Sequence, residues 1–276
     1  MTDKSTPISV TALPLPRLAR THPAPHLSHL VTSSYAPPKG PKDRLIESNL
    51  LILLHGLGDS HTPLFKLGQS LSLPQTAVLS IRAPLRVPLL EEEAWQWWPS
   101  FDALGEVIPN PNPTATLQIL TQVLGHLLTT CNWHPSQVHF FGNSQGATCA
   151  AELILQYSNP TFPSPITFGS LISISGPLLS FLTKPAKNST KVLLVSRKTQ
   201  ESALALPNWK KGFEKIDSHV LPLHPSPMPT NDKEWFGIIK FWSQVLLRRS
   251  PMEFEKDVYA VSSDSVPGDA TRPSKP

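Results

Sequence analysis

Ser144 lies in Gly142-Asn143-Ser144-Gln145-Gly146, a G-x-S-x-G spacing. A serine hydroxyl is a weak nucleophile until a tight turn exposes it and a base accepts its proton. The run before the motif, Val138-His139-Phe140-Phe141, reads as a buried strand. Ala147, Ala150 and Ala151 after it supply a small face on which a helix can lie close to a sheet. Strand, turn and helix in that order make a nucleophile elbow, with glycines where side chains would clash. A helix beginning at Ser144 aims its first N–H groups, and the positive end of its dipole, at a developing oxyanion.

A second segment, Leu53-Leu54-His55-Gly56-Leu57-Gly58-Asp59, closes another apolar run. A flexible loop directly after a buried strand can turn a backbone N–H toward the serine. The N–H of Leu57 and that of Gln145 are assigned to an oxyanion hole. His55 reads as a structural residue bonded to loop backbone.

These segments need a scaffold. Apolar runs at Asn49–Leu54, Thr76–Ile81, Gln137–Phe141, Ser170–Ser175, Lys191–Ser196 and His219–Leu223 suit strands covered on both faces. Between them, residues 114–128 place Leu117, Leu120, Val123, Leu124, Leu127 and Leu128 on one helical face. Residues 232–247 do the same with Trp235, Ile238, Ile239, Trp242, Val245 and Leu246, behind an Asn231 cap. Strands alternating with helices predict an α/β fold, a mainly parallel sheet with helices on both faces.

Proline is abundant, 31 of 276 residues, and is dense in residues 1–46, which hold eight. Residues 1–46 are expected to form a proline-rich, weakly structured arm, mostly extended, with Ile8–Leu13 or His29–Ser33 as a candidate strand. Residues 47–250 form the domain, and residues 251–276 a disordered tail. Pro14-Leu15-Pro16-Arg17 has the look of a ligand for a proline-binding module, though a solvated arm is the plainer reading.

Twenty-four Lys and Arg against 20 Asp and Glu leave a net charge of +4, with the basic residues scattered singly, so nucleic acid is a poor partner. Two cysteines exclude a disulfide scaffold, and the ten histidines lack metal-ligand spacing. No apolar run approaches the roughly 18 residues of a transmembrane span, and no secretory signal is evident. A cytoplasmic protein is expected.

The combination LLHGLGDS, Leu79-Ser80-Ile81-Arg82-Ala83-Pro84, Trp98-Pro99-Ser100-Phe101-Asp102 and FGNSQGAT resembles the phospholipase/carboxylesterase family, which contains the acyl-protein thioesterases. The resemblance covers roughly residues 49–247. It implies an α/β-hydrolase fold, serine-based hydrolysis of esters or thioesters, no cofactor, and Ser144 as nucleophile with Leu57 and Gln145 as oxyanion donors. It also places Trp95 and Trp98 beside an acyl-binding cleft.

The resemblance implies an acid after the strand Lys191–Ser196 and a histidine before the last helix. The expected acid position falls on Gln200, with Glu201 the carboxylate in reach. The expected histidine position falls on Met228, with His224 the nearest imidazole. Asp217 and Asp232 are spare carboxylates.

Together these residues are read as a serine hydrolase acting through an acyl-Ser144 intermediate on a small-molecule or acylated-protein ester or thioester, with His224 as base and Glu201 as its orienting acid. The alternative is a catalytically silent hydrolase fold used as a binding or scaffold module, because the acid and histidine positions are unmatched.

Overall fold

The computed structural model describes residues 19–254, apart from 41–44, 89, 91, 103, 158–164, 181–186 and 199; at 200–205 and 252 it describes the backbone alone. Strands β1 (Ser33–Ala36), β2 (Asn49–Leu54), β3 (Thr76–Ile81), β6 (Val138–Asn143), β7 (Ser170–Ile174), β8 (Lys191–Arg197) and β9 (Ile216–Leu221) form one sheet. Its order is β1-β3-β2-β6-β7-β8-β9. The strands β2, β3, β6, β7, β8 and β9 run parallel, and β1 pairs antiparallel at the edge. A short ribbon, β4 (Leu85–Arg86) with β5 (Trp95–Gln96), stands apart.

Helices cover both faces, as expected, and β2 shows why its six residues are all apolar or buried. Leu50, Ile52 and Leu54 face one core with α2 (Thr114–Thr129), α3 (Gln145–Gln156) and Trp209 of α4 (Gln200–Gly212). Leu51 and Leu53 face a second core with Leu64 of α1 (His61–Leu71) and Ile238, Phe241 and Trp242 of α5 (Asp232–Val245). Successive side chains on a strand point to opposite faces, so a strand between two helical layers carries no polar alternation.

Strand β9 starts three residues before its expected Leu223-ended run, because an edge strand has one open side. Asp217 and Ser218 are exposed there, and no continuous apolar stretch marks it. On α5, Ile239 is exposed rather than part of the buried face. His219 is structural: its Nε2 lies 2.9 Å from the Glu234 carbonyl, and its ring packs where a Cβ on Gly237 would sit.

The expectation of a weakly structured arm over residues 1–46 fails for the described part of that segment. Ser33–Ala36 extend the sheet beyond β3, and Leu27 and Val31 are buried in the first core. His22 stacks on Trp133 with ring centroids 3.6 Å apart, and its N–H donates to Glu47 Oε2 at 2.5 Å. Proline disfavours central strands but not an edge strand or extended packing, so composition alone misjudged this segment. Pro14–Arg17 and residues 255–276 lie outside the described residues. Among the described residues, no helix is long and apolar enough to cross a membrane.

Candidate active site

Ser144 follows β6 directly, at φ 50° and ψ −120°, and α3 begins at Gln145. A non-glycine residue in that region is strained by about 1–3 kcal/mol, which surrounding structure must hold in place. The holding contacts are backbone: Ser144 N–H donates to Ile174 O at 2.8 Å, and Thr148 N–H to Ser144 O at 3.1 Å. Both motif glycines are required by space. A Cβ on Gly142 would lie 2.4 Å from Ala147 Cα, and one on Gly146 would lie 2.3 Å from Leu54 O.

The loop after β2 lies against this elbow. A Cβ on Gly56 would sit 3.5 Å from Ser144 Cβ and 2.9 Å from Asn143 Nδ2. His55 is fully buried, with Nδ1 2.8 Å from Gly56 O and Nε2 accepting from Ala83 N–H at 2.9 Å. An N–H acceptor at Nε2 and a carbonyl at Nδ1 fix the neutral Nδ1–H tautomer. Burial holds its pKa below the ordinary value. Among the described residues, the backbone N–H groups of Leu57 and Gln145 donate to no protein acceptor.

One tryptophan ties loop and elbow together, and sequence reading did not single it out. Trp97 is buried; its indole N–H donates to His55 O at 2.7 Å and its backbone N–H to Gln145 Oε1 at 2.8 Å. Gln145 Nε2 in turn donates to Ser100 Oγ at 2.6 Å, and Thr116 Oγ1 donates to the Trp97 carbonyl. The side chain after the serine therefore spans from elbow to the 97–100 segment. Three tryptophans in four residues carry no signal of which one braces the loop.

Trp95 and Trp98 are the residues expected to line a substrate cleft. Trp98 is buried in the first core, and Trp95 lies under the Arg82 guanidinium, 3.8 Å from ring centroid to Cζ. Neither lines the cavity of about 380 Å³ that opens at the carboxyl ends of β7 and β8.

On that side the structure is built around Arg197, the last residue of β8. Its guanidinium donates to Glu234 at 2.6 and 3.0 Å and to the carbonyls of Pro222, Ser226 and Met228. Both side chains of the pair are buried, and the arginine holds the Glu234 carboxyl down at about 2, helped by the Thr230 N–H. All five N–H groups of Arg197 are thereby used. No local spacing in the sequence signals this pair, since the partners lie 37 positions apart.

The proline loop is pinned by these bonds. Met228, at the position expected for histidine, packs partly buried against the second core. His224 is exposed and reaches the cavity wall. Its Nδ1 accepts from Ser226 N–H at 3.0 Å, which puts the proton of the neutral ring on Nε2. Among the described residues, Ser144 Oγ has no hydrogen bond to an imidazole. Glu201 lies in the first turn of α4, and its side chain is outside the described residues. Asp217 is exposed within β9 and Asp232 at the start of α5. No three His, Cys, Asp or Glu side chains gather for one metal ion among the described residues.

A mainly parallel sheet, a serine elbow at the carboxyl end of a central strand and helices on both faces define an α/β-hydrolase fold. The family model of phospholipase/carboxylesterase matches residues 41–195. The chain belongs to that family, as a hydrolase of the carboxylesterase and thioesterase group. An uncharacterized hydrolase of Mycosarcoma maydis is 38% identical over 231 residues, covering 80% of this chain and 85% of that protein. An uncharacterized hydrolase of Schizosaccharomyces pombe is 31% identical over 142 residues, half of this chain and 56% of its own length.

Among solved structures, esterase PE8 superposes with a TM-score of 0.59 at 22% identity, over 78% of this chain and 99% of that one. Acyl-protein thioesterase 2 of Zea mays gives 0.54 at 18% identity, over 78% and 98%. At these identities the likeness is one of fold.

Proposed function

We propose that the protein hydrolyses neutral carboxylic esters or thioesters, of small molecules or acylated proteins, through an acyl-Ser144 intermediate. One observation carries this reading: Ser144 is held in a strained elbow at the end of β6 with Gly56 of the loop after β2 packed against it, and among the described residues the N–H groups of Leu57 and Gln145 have no protein acceptor. Such donors stabilise charge that develops only in the transition state, which is where catalysis gains most. Ser144 Oγ attacks the carbonyl carbon, the carbonyl oxygen takes negative charge facing Leu57 and Gln145, and the alcohol or thiol leaves with a proton. Water then releases the acid and restores the serine.

His224 is the proposed base. With Ser226 N–H on Nδ1, the ring carries its proton on Nε2, so it acts only after leaving that bond and moving the proton to Nδ1. Glu201, at the start of α4, is the proposed carboxylate that receives Nδ1–H. The silent-fold alternative rests on the missing hydrogen bond between Ser144 and an imidazole. Family membership and the unpaired oxyanion donors favour the enzyme.

The test is hydrolysis of p-nitrophenyl butyrate and a butyryl thioester. Ser144→Ala should abolish turnover, and His224→Ala should lower it by about 100-fold or more, the contribution of a general base. Glu201→Gln should cost less. Turnover unchanged by His224→Ala but lost with Ser144→Ala would remove His224 as base. Turnover that survives Ser144→Ala would remove the proposal.

A further inference from the structure

The two oxyanion donors belong to different parts of the chain, Leu57 to the loop after β2 and Gln145 to the first turn of α3. Such donors act only when they stand about 2.7–3.1 Å from the place the oxyanion will occupy, so both must be held within about 0.5 Å. The loop has little stiffness of its own. Gly56 and Gly58 flank Leu57, and Gly58 takes φ 83°, a conformation that favours glycine. The bonds that fix it come from outside the loop.

The segment 95–100 bonds to both halves. On the loop side, the Trp97 indole N–H donates to His55 O at 2.7 Å, and Gly58 N–H donates to Trp95 O at 2.9 Å. Between these anchors, His55 Nδ1–H donates to Gly56 O at 2.8 Å. Gly56 O and the Leu57 N–H are opposite edges of one planar peptide, so holding the oxygen sets the direction of the N–H. On the elbow side, Trp97 N–H donates to Gln145 Oε1 at 2.8 Å, and Gln145 Nε2 donates to Ser100 Oγ at 2.6 Å. Thr116 Oγ1 holds the Trp97 carbonyl. A tryptophan that only fills the core needs none of these directed bonds. Trp133 and Trp242 are as buried as Trp97, and their indole N–H groups have no partner.

We infer that Trp97 is a positioning residue for the hydrolysis, locking the Leu57 and Gln145 donors into one register through the His55 carbonyl and the Gln145 side chain. This role rests on the Ser144 reading. Trp97 acts through two other residues and not on the substrate. Loss of either bond loosens one donor without removing it. The cost then falls on the step in which charge develops on the carbonyl oxygen, and binding of the neutral ester is spared.

Two variants loosen the two sides separately. Trp97→Phe removes the indole N–H to His55 O, and Gln145→Met removes both side-chain bonds while keeping its backbone N–H. On p-nitrophenyl butyrate each should lower kcat by about tenfold or more with KM within about twofold, the mark of a transition-state loss. The thiono analogue, with C=S in place of C=O, is a poorer hydrogen-bond acceptor, so the wild-type preference for the ester should shrink by about fivefold or more in each variant. Damage to packing alone would slow both substrates alike and leave that preference unchanged. A second readout needs no turnover. The Gly58 and Ala83 N–H groups bond Trp95 O and His55 Nε2, and their hydrogen exchange should quicken by about tenfold or more in Trp97→Phe, with β2 and β3 still protected. Wild-type kcat in both folded variants, equal losses on ester and thiono ester, or unchanged exchange would overturn the positioning role. No turnover by the wild type, with exchange quickened as expected, would remove the Ser144 reading and leave the Trp97 brace in place.

Discussion

Arg197 and Glu234 are paired 2.6 Å apart beneath the surface, and the same guanidinium holds the carbonyls of Pro222, Ser226 and Met228. The end of β8, the proline loop and the start of α5 are thus one hydrogen-bonded unit. It occupies the ground where the resemblance implies an acid and a histidine. Removing one member of a buried pair leaves the other charge uncompensated, whereas replacing both by apolar groups can be neutral. Glu234→Gln should therefore lower Tm by several degrees, and the Arg197→Met/Glu234→Met double variant should recover much of that. Because the folded carboxyl sits at about 2 against an ordinary 4.5, its contribution is complete above about 4.5 and disappears as pH falls toward about 2. Thermal melts of wild type and Glu234→Gln should converge over that window; a constant offset down to pH 2 would contradict it.

The buried histidines predict a second pH dependence. Burial lowers the pKa of His55 and of His22, and takes His139 down to about 3. A base whose folded pKa is depressed binds its proton in the unfolded chain first, so stability falls as pH drops below about 6.5. Each such group contributes up to about 1.4 kcal/mol per pH unit while its unfolded form alone is protonated. Chemical denaturation between pH 7 and 4 should show this loss, and His139→Leu should flatten it. An acid limb unchanged by that substitution would rule His139 out as a source.

The elbow and the oxyanion loop tolerate side chains differently. Gly146→Ala places a methyl 2.3 Å from backbone at Leu54, so the strand or helix must move, at about 3 kcal/mol or more. Gly56→Ala meets the end of the Asn143 side chain, which can turn aside. It should fold with a Tm near wild type while ester turnover falls at least tenfold, because the methyl approaches Ser144. Equal Tm values for the two variants would contradict the packing described.

How much of this was legible beforehand divides along physical lines. Strands β2 and β3 were read to the residue, because strands buried on both faces announce themselves as unbroken apolar runs. The elbow was legible because one local segment holds strand, serine and helix. Trp97 bracing His55 and Gln145, and Arg197 reaching Glu234, join residues far apart in the chain, and no local spacing encodes them. The edge strand β1 runs over Ser33–Ala36, later than the expected His29–Ser33, because proline-rich composition hid the apolar residues, Leu27 and Val31, that anchor the segment before it.

That segment makes its own prediction. Leu27 is 2% exposed within the first core, and truncating a buried leucine costs about 2–5 kcal/mol. Leu27→Ala should lower stability by that amount in urea melts, and deletion of residues 1–40 should cost more, since it also strips β1 from β3. A deletion variant as stable as the full chain would show that the sheet is complete without them.

The central claim is that the strained hydroxyl of Ser144 is a working nucleophile. Intact-mass analysis after treatment with a fluorophosphonate probe tests it without assuming a substrate. The account predicts one adduct per wild-type chain, carried by the peptide containing Ser144, and none on folded Ser144→Ala. A folded wild-type chain that takes no adduct, or an adduct that persists on Ser144→Ala, would contradict it.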